Sequence, residues 1–201
     1  EEGMENFDAN ETVTAGYIRY DQRLYDRVDL LLGLRVENTR STYNAFSFNE
    51  DDETLTRVTG GTDSYIDFLP SVIAKWDVND EFKVKAAWTN TLARPKYENL
   101  APIRSFSRIE NVITIGNPEL KPTHSMNIDL MAEYYINGGL FSAGLFYKDI
   151  TDFIVEERLS DYAFEGTTWS RFNRPINAGD ADLLGFEAAI QQKLYFLPGF
   201  L

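Results

Sequence analysis

The chain has 201 residues, 19 Lys+Arg against 32 Asp+Glu, and a formal net charge of -13. That balance is the reverse of the basic patch a nucleic-acid footprint needs, so no nucleic-acid partner is expected. There is no Cys and a single His, His124, which removes disulfides, thiol catalysis and Cys-based metal sites. Hydrophobic residues make up 43%, so the chain is expected to fold. Aromatic residues make up 14%, an excess that calls for a structural cause.

Along the chain the hydrophobic period is 2. Thr12–Leu24 gives a first, irregular strand. From Val28 the apolar positions are Val28, Leu30, Leu32, Leu34 and Val36. From Ile66 they are Ile66, Phe68, Pro70, Val72, Ala74, Trp76 and Val78. Phe82, Val84, Ala86 and Trp88 follow, then Met126, Ile128, Leu130, Ala132, Tyr134 and Ile136. Leu140–Val155 is again less regular, and Leu184, Phe186, Ala188 and Ile190 close the series. Alternation of this kind gives each strand one apolar and one mostly polar wall. About seven strands and no convincing helix are predicted. No apolar run reaches the roughly 18–20 residues of a membrane helix, a test that does not bear on membrane strands.

The connections alternate in length. Short turns are predicted at Tyr25-Asp26-Arg27, Asn79-Asp80-Glu81, Asn137-Gly138-Gly139 and Leu197-Pro198-Gly199. Long polar loops are predicted near 45–63, 96–122 and 157–180. Short and long connections in strict alternation describe antiparallel up-and-down neighbours with every long loop at one end, as in outer-membrane barrels. Tyr25, Trp76, Phe82, Tyr134, Tyr135, Phe141, Tyr195 and Phe196 gather at the short-turn ends, where an interfacial girdle belongs. Several segments exceed the usual strand length of about 5–6 residues, which also suits a barrel rising above a membrane.

Trp88-Thr89-Asn90-Thr91-Leu92-Ala93-Arg94-Pro95 with Tyr97-Glu98-Asn99-Leu100-Ala101-Pro102 resembles the R-x-x-A-R-P…L-x-P stretch of the TonB-dependent outer-membrane receptor family, although Thr89-Asn90-Thr91 stands where many members carry an Arg before the alanine. Gly116-Asn117-Pro118-Glu119-Leu120-Lys121-Pro122 is similar to its G-N-P-x-L-K-P. Tyr134-Tyr135 and the run Gly138–Ile154 resemble its E-Y-Y…G-x-x-S-A-G-x-F-Y-K-D-I-x-D-F-I hairpin. Gly33-Leu34-Arg35-Val36-Glu37 resembles its G-L-R-x-E strand, and Gly179 to Glu187 its G-x-x-x-x-G-x-E. The ordered set is more specific than any one motif.

The resemblance implies an all-β fold: an antiparallel up-and-down transmembrane β-barrel, with residues 1–201 supplying about seven strands of a barrel of about 22. Residues 1–201 are then expected to be an internal part of the receptor, with the plug domain and remaining strands outside it. The implied function is active import of a specific nutrient: a siderophore, haem, cobalamin, an oligosaccharide or a peptide. Energy would come from the TonB–ExbB–ExbD complex through an N-terminal region that these residues do not include. Outer-membrane lipid and lipopolysaccharide are the implied surroundings. The alternatives are a passive porin and a soluble calycin-like barrel that binds a small ligand.

No catalytic constellation, metal site or cofactor is expected. His124 has no serine nucleophile motif beside it and reads as a strand-end histidine. Glu50-Asp51-Asp52-Glu53 lacks calcium-loop spacing and reads as a solvated loop tip. Asn117–Pro122 reads as structural, its prolines marking strand exits. Substrate contacts are expected from aromatic and Arg residues of the long loops, which suit stacking and bidentate hydrogen bonds: Arg104, Phe106, Arg108, Tyr162, Trp169, Arg171 and Phe172. The competing reading is that these rings pack the loops against one another.

Overall fold

The computed structural model describes residues 6–49, 54–101, 104–107, 110–164 and 166–193. Seven strands form one antiparallel meander: β1 (Asn6–Leu24), β2 (Val28–Asn49), β3 (Thr54–Asp77), β4 (Phe82–Ala93), β7 (Thr123–Ile136), β8 (Gly139–Thr151) and β11 (Ala181–Gln192). Each predicted apolar set falls inside one of these strands, except that Val78 lies just past the end of β3 and the predicted Leu140–Val155 segment runs beyond the end of β8. The turns at 25–27, 79–81 and 137–138 join neighbours at one end. Leu197-Pro198-Gly199 and the acidic run at 50–53 lie outside the described residues.

The register aligns the walls. Across the sheet, Tyr20 pairs with Leu32, Leu32 with Val72, Val72 with Trp88 and Trp88 with Ile128. Ile128 pairs with Tyr147 and Tyr147 with Leu184. One level nearer the turns the row runs through Ala86, Leu130, Leu145 and Phe186. Because pairing partners share a face, these rows form one continuous apolar surface. It is open: Leu184 is 77% exposed and Phe186 79%. A water-facing surface of this extent would be an aggregation liability, whereas lipid would cover it.

The opposite face is polar and carries ion pairs. Arg23 reaches Asp29 at 2.8 Å, Lys83 lies 3.5 Å from Asp77, and Lys85 bonds Glu133 at 2.5 Å. The polar face is also the one onto which the long loops fold. On β2 the alternate residues Glu37, Thr39, Ser41, Tyr43 and Ala45 are all buried there. A soluble calycin-like barrel would turn its apolar wall inward, so the arrangement runs against that alternative.

The sheet is stepped. β1, β2 and β3 have 19, 22 and 24 residues, while β4, β7, β8 and β11 have 12 to 14. Pairing between β3 and β4 stops at Ser71 and Thr89. Pro70 stands at the step, where its missing N–H costs no ladder bond.

The long connections are more ordered than loops. The β4–β7 connection carries a single helical turn, α1 (Tyr97–Leu100), and strands β5 (Arg104–Ser107) and β6 (Val112–Ile115). The connection from β8 to β11 carries β9 (Ile154–Phe164) and β10 (Thr167–Asn177). Together they make a second sheet, β5-β6-β10-β9, in which β6 and β10 run parallel. The expectation of about seven strands thus holds for the wall, and four further strands lie in what reads from sequence as loop.

Candidate functional site

The site begins at Arg94, just past the end of β4. Its Nη2 donates to the Glu37 carboxylate and, at 3.2 Å, to the Thr39 hydroxyl. Glu37 also accepts from Nε of Arg35, so two guanidinium groups bracket one carboxylate. Glu11 lies 4.0 Å from the Arg94 Nε and accepts from the Ser41 hydroxyl at 3.3 Å. The residues resembling A-R-P and G-L-R-x-E, 57 positions apart, therefore meet as an ion pair on the polar wall. Thr39 has no exposed surface, while the Arg94 side chain stays partly exposed at the edge of this corner.

Beyond Arg94 the chain packs down through Pro95, Leu100, Ala101, Leu120 and Pro122, all buried. Gly116 lies directly against the Ala101 carbonyl, where a Cβ would collide with backbone. The Tyr43 hydroxyl donates to the Pro118 carbonyl at 3.3 Å. Burial, then the nearby Asp63 and Glu119 carboxylates, pushes the Tyr43 phenol up from its ordinary value.

Two asparagines join this segment to the other connection. Asn117 takes its backbone N–H to the Asn99 carbonyl at 2.6 Å and donates Nδ2 to the Pro175 carbonyl at 3.0 Å. Asn177 accepts from the Lys121 N–H at 2.9 Å and donates to the Lys121 carbonyl at 3.0 Å. Its Nδ2 also reaches the Asp152 carbonyl at 2.7 Å. The stretch resembling G-N-P-x-L-K-P is thus a bracket between the wall and β10. Asn177 lay outside the motifs legible in the sequence.

The expected ligand residues fall on the second sheet, with different surroundings. Phe172 is 4% exposed, with the Tyr162 and Phe164 rings 4.4 and 5.8 Å from its own. Asp161, at φ 51°, interrupts the β9–β10 ladder opposite Ser170, and the rings of β9 beyond it turn onto Phe172. Trp169 is half-buried opposite Tyr162. Arg171 is exposed, opposite Ser160 on β9 and Val112 on β6. Arg158 and Arg174 carry ion pairs with Glu156 and Glu157. Arg104 and Phe106 pair in register with Ile115 and Ile113. Arg108 lies outside the described residues. Two connections that leave the wall at different strands are therefore brought into one surface with Arg171 exposed on it.

His124 bonds Asp67 through Nε2 at 2.7 Å. That contact accounts for the lone imidazole as a link from β7 to β3, across the step.

The outer membrane protein beta-barrel family matches residues 2–196, and the chain belongs to that family. No curated protein sequence matches it. Among solved structures it is similar to the hemophore receptor HasR of Serratia marcescens, a double mutant in complex with its hemophore HasA and heme. There the TM-score is 0.69 at 13% identity, covering 90% of this chain and 32% of that one. The siderophore receptor PirA of Pseudomonas aeruginosa gives 0.59 at 18% identity, covering 90% and 39%. The ferric yersiniabactin uptake receptor FyuA of Yersinia pestis gives 0.62 at 17%, covering 94% and 25%. The fold is that of a portion of these receptors' barrels, and the family places the chain in the bacterial outer membrane. The chain spans between a quarter and about two-fifths of these three receptors.

Proposed function

We propose that this chain supplies part of the wall and two outward loops of a receptor barrel that imports a nutrient across the outer membrane with energy from the TonB–ExbB–ExbD complex. On this reading residues 1–201 are one part of a barrel domain whose plug and remaining strands lie elsewhere. Trp169 and Arg171 contact the substrate. Arg104, Phe106, Arg108 and Tyr162 complete the surface, and Phe172 supports it from within. The observation that carries the reading is the pairing of the two long connections into one sheet bonded to the polar wall. A passive pore needs only an open polar lumen. A receptor needs a shaped surface, and rings beside a guanidinium suit planar or polyhydroxyl ligands.

The test uses the full-length receptor, purified in detergent and titrated with haem, a ferric catecholate chelate, cobalamin, maltoheptaose and a short peptide. Saturable binding of one of these is expected, weakened roughly 30-fold in the W169A/R171A variant, as for a binding hot spot of about 2 kcal/mol. Uptake of the same compound by whole cells should stop on adding a protonophore. Uptake that survives the protonophore identifies a passive channel, and unchanged affinity in the double variant removes Trp169 and Arg171 from the site.

A further inference from the structure

We infer that Arg94 is a positioning residue: it fixes the β4–β7 connection to the inner wall and, through that connection, sets where the β5-β6-β10-β9 sheet stands. The inference deepens the substrate-contact reading above and rests on it for its functional meaning.

The path is continuous on the page. The Arg94 fork spans Glu37 and Thr39, two positions apart on the same face of β2. The next inner positions up that face, Ser41, Tyr43 and Ala45, are buried as well. Tyr43 holds the Pro118 carbonyl, and the neighbouring Asn117 holds the Pro175 carbonyl on β10. Asn177 holds both backbone groups of Lys121. β10 then pairs with β6 from Arg171 to Asn173. Each of these links is a directional hydrogen bond.

Chemistry explains why the first link is an Arg–Glu pair. With Glu37 buried and the Arg94 side chain 26% exposed, the ion pair contributes little net stability over well-packed apolar side chains of similar volume, because the charges lose much of their water. It does fix orientation, since a planar fork binds a carboxylate and a hydroxyl in one geometry only. Leu100, Leu120 and the prolines supply apolar burial for this segment. What Arg94 adds is direction at the point where the chain leaves the short strands and crosses to the tall ones. Pairing between β3 and β4 has already ended there, so no ladder bond between those two strands sets the angle of departure.

The test needs no ligand, so its result is independent of whether the transport reading holds. These 201 residues contain no Cys, and spin labels can be placed by S64C/T168C, one site on β3 and one on β10, in the full-length receptor with other cysteines replaced. T14C/S64C, both on the wall, serves as the control pair. In R94Q the β3–β10 distance distribution should broaden at least about twofold while the wall pair stays as in the parent, because the sheet opens locally. Trypsin should cut after Lys96, Arg104 or Arg108 about tenfold faster, since cleavage tracks the open population. E37Q should reproduce both effects, the double variant should add little to either, and R94K should fall between, because an ammonium cannot span both partners. An unchanged β3–β10 distribution overturns the inference. So does equal broadening of the wall pair, which would make Arg94 a general prop of the barrel.

Discussion

Gly116 has no room for a side chain. A Cβ there would sit within the Ala101 carbonyl, and it would also meet the Asn99 carbonyl at 3.2 Å. Both obstacles are backbone, which cannot rotate away as a side-chain tip can. The G116A variant should therefore cost about 1–3 kcal/mol, the range for overpacking. The cost is local, so it should appear as hydrogen exchange of the Asn117 amide, which donates to Asn99, faster by roughly 10- to 100-fold. Protection equal to the parent would mean that the segment shifts freely and that the close approach is unimportant. The sequence displays Gly116 as the first letter of a motif but gives no reason for it. The reason is a backbone 15 positions away, which no periodicity can show. Arg94 is similar. It stands out as part of A-R-P, yet its partner Glu37 lies on another strand and becomes visible only through the register.

At the scale of elements, β2, β3, β4, β7 and β11 were legible from a strict apolar period, β1 and β8 less so, and the ends of β2 and β3 away from the turns read as loop. The second sheet was not legible. β5 and β6 have four residues each, too short for alternation to register. Pairing of β6 with β10 joins residues about 60 positions apart, and β10 contains Pro175, which a sequence reading counts against a strand. The structure resolves this: the parallel pairing ends at Asn173, so the Pro175 nitrogen owes no bond to β6, while its carbonyl accepts from Asn117. Phe172 illustrates the same limit, since an aromatic residue in a polar stretch fits either a ligand surface or a small core. The β1–β2 turn offers an element-scale prediction. Tyr25 and Asp26 both adopt left-handed backbone, at φ 51° and 56°, without the glycine that relieves such strain. D26G should stabilise the hairpin by about 0.5–1 kcal/mol. The urea midpoint of the refolded full-length barrel should rise with its m-value unchanged, and a fall in midpoint would show that the Asp26 side chain matters more than its backbone.

At the scale of the whole molecule, the decisive feature is which face the loops choose. They fold onto the polar wall, and the apolar wall is left for another phase. This orientation distinguishes a membrane barrel from a soluble one built on the same alternation, and sequence pattern alone could not decide it. It also gives opposite expectations for one substitution on the two faces. Leu145 lies midway along β8, between Leu130 on β7 and Phe186 on β11, on the apolar wall. Glu187 lies one position past Phe186 on β11 and pairs with Gly144 on the polar wall. With lipid against the apolar wall, L145R places a guanidinium near the bilayer midplane at a cost of about 2–4 kcal/mol. E187R exchanges one charge for another in a polar lumen, where substitutions alter selectivity more than stability, so a change within about 0.5 kcal/mol is expected. Urea titration of the full-length receptor refolded into phosphatidylcholine vesicles measures both. A large loss in L145R with E187R near the parent fits the lipid-facing assignment. A large loss in E187R with L145R unaffected would reverse the two faces and turn the apolar wall inward.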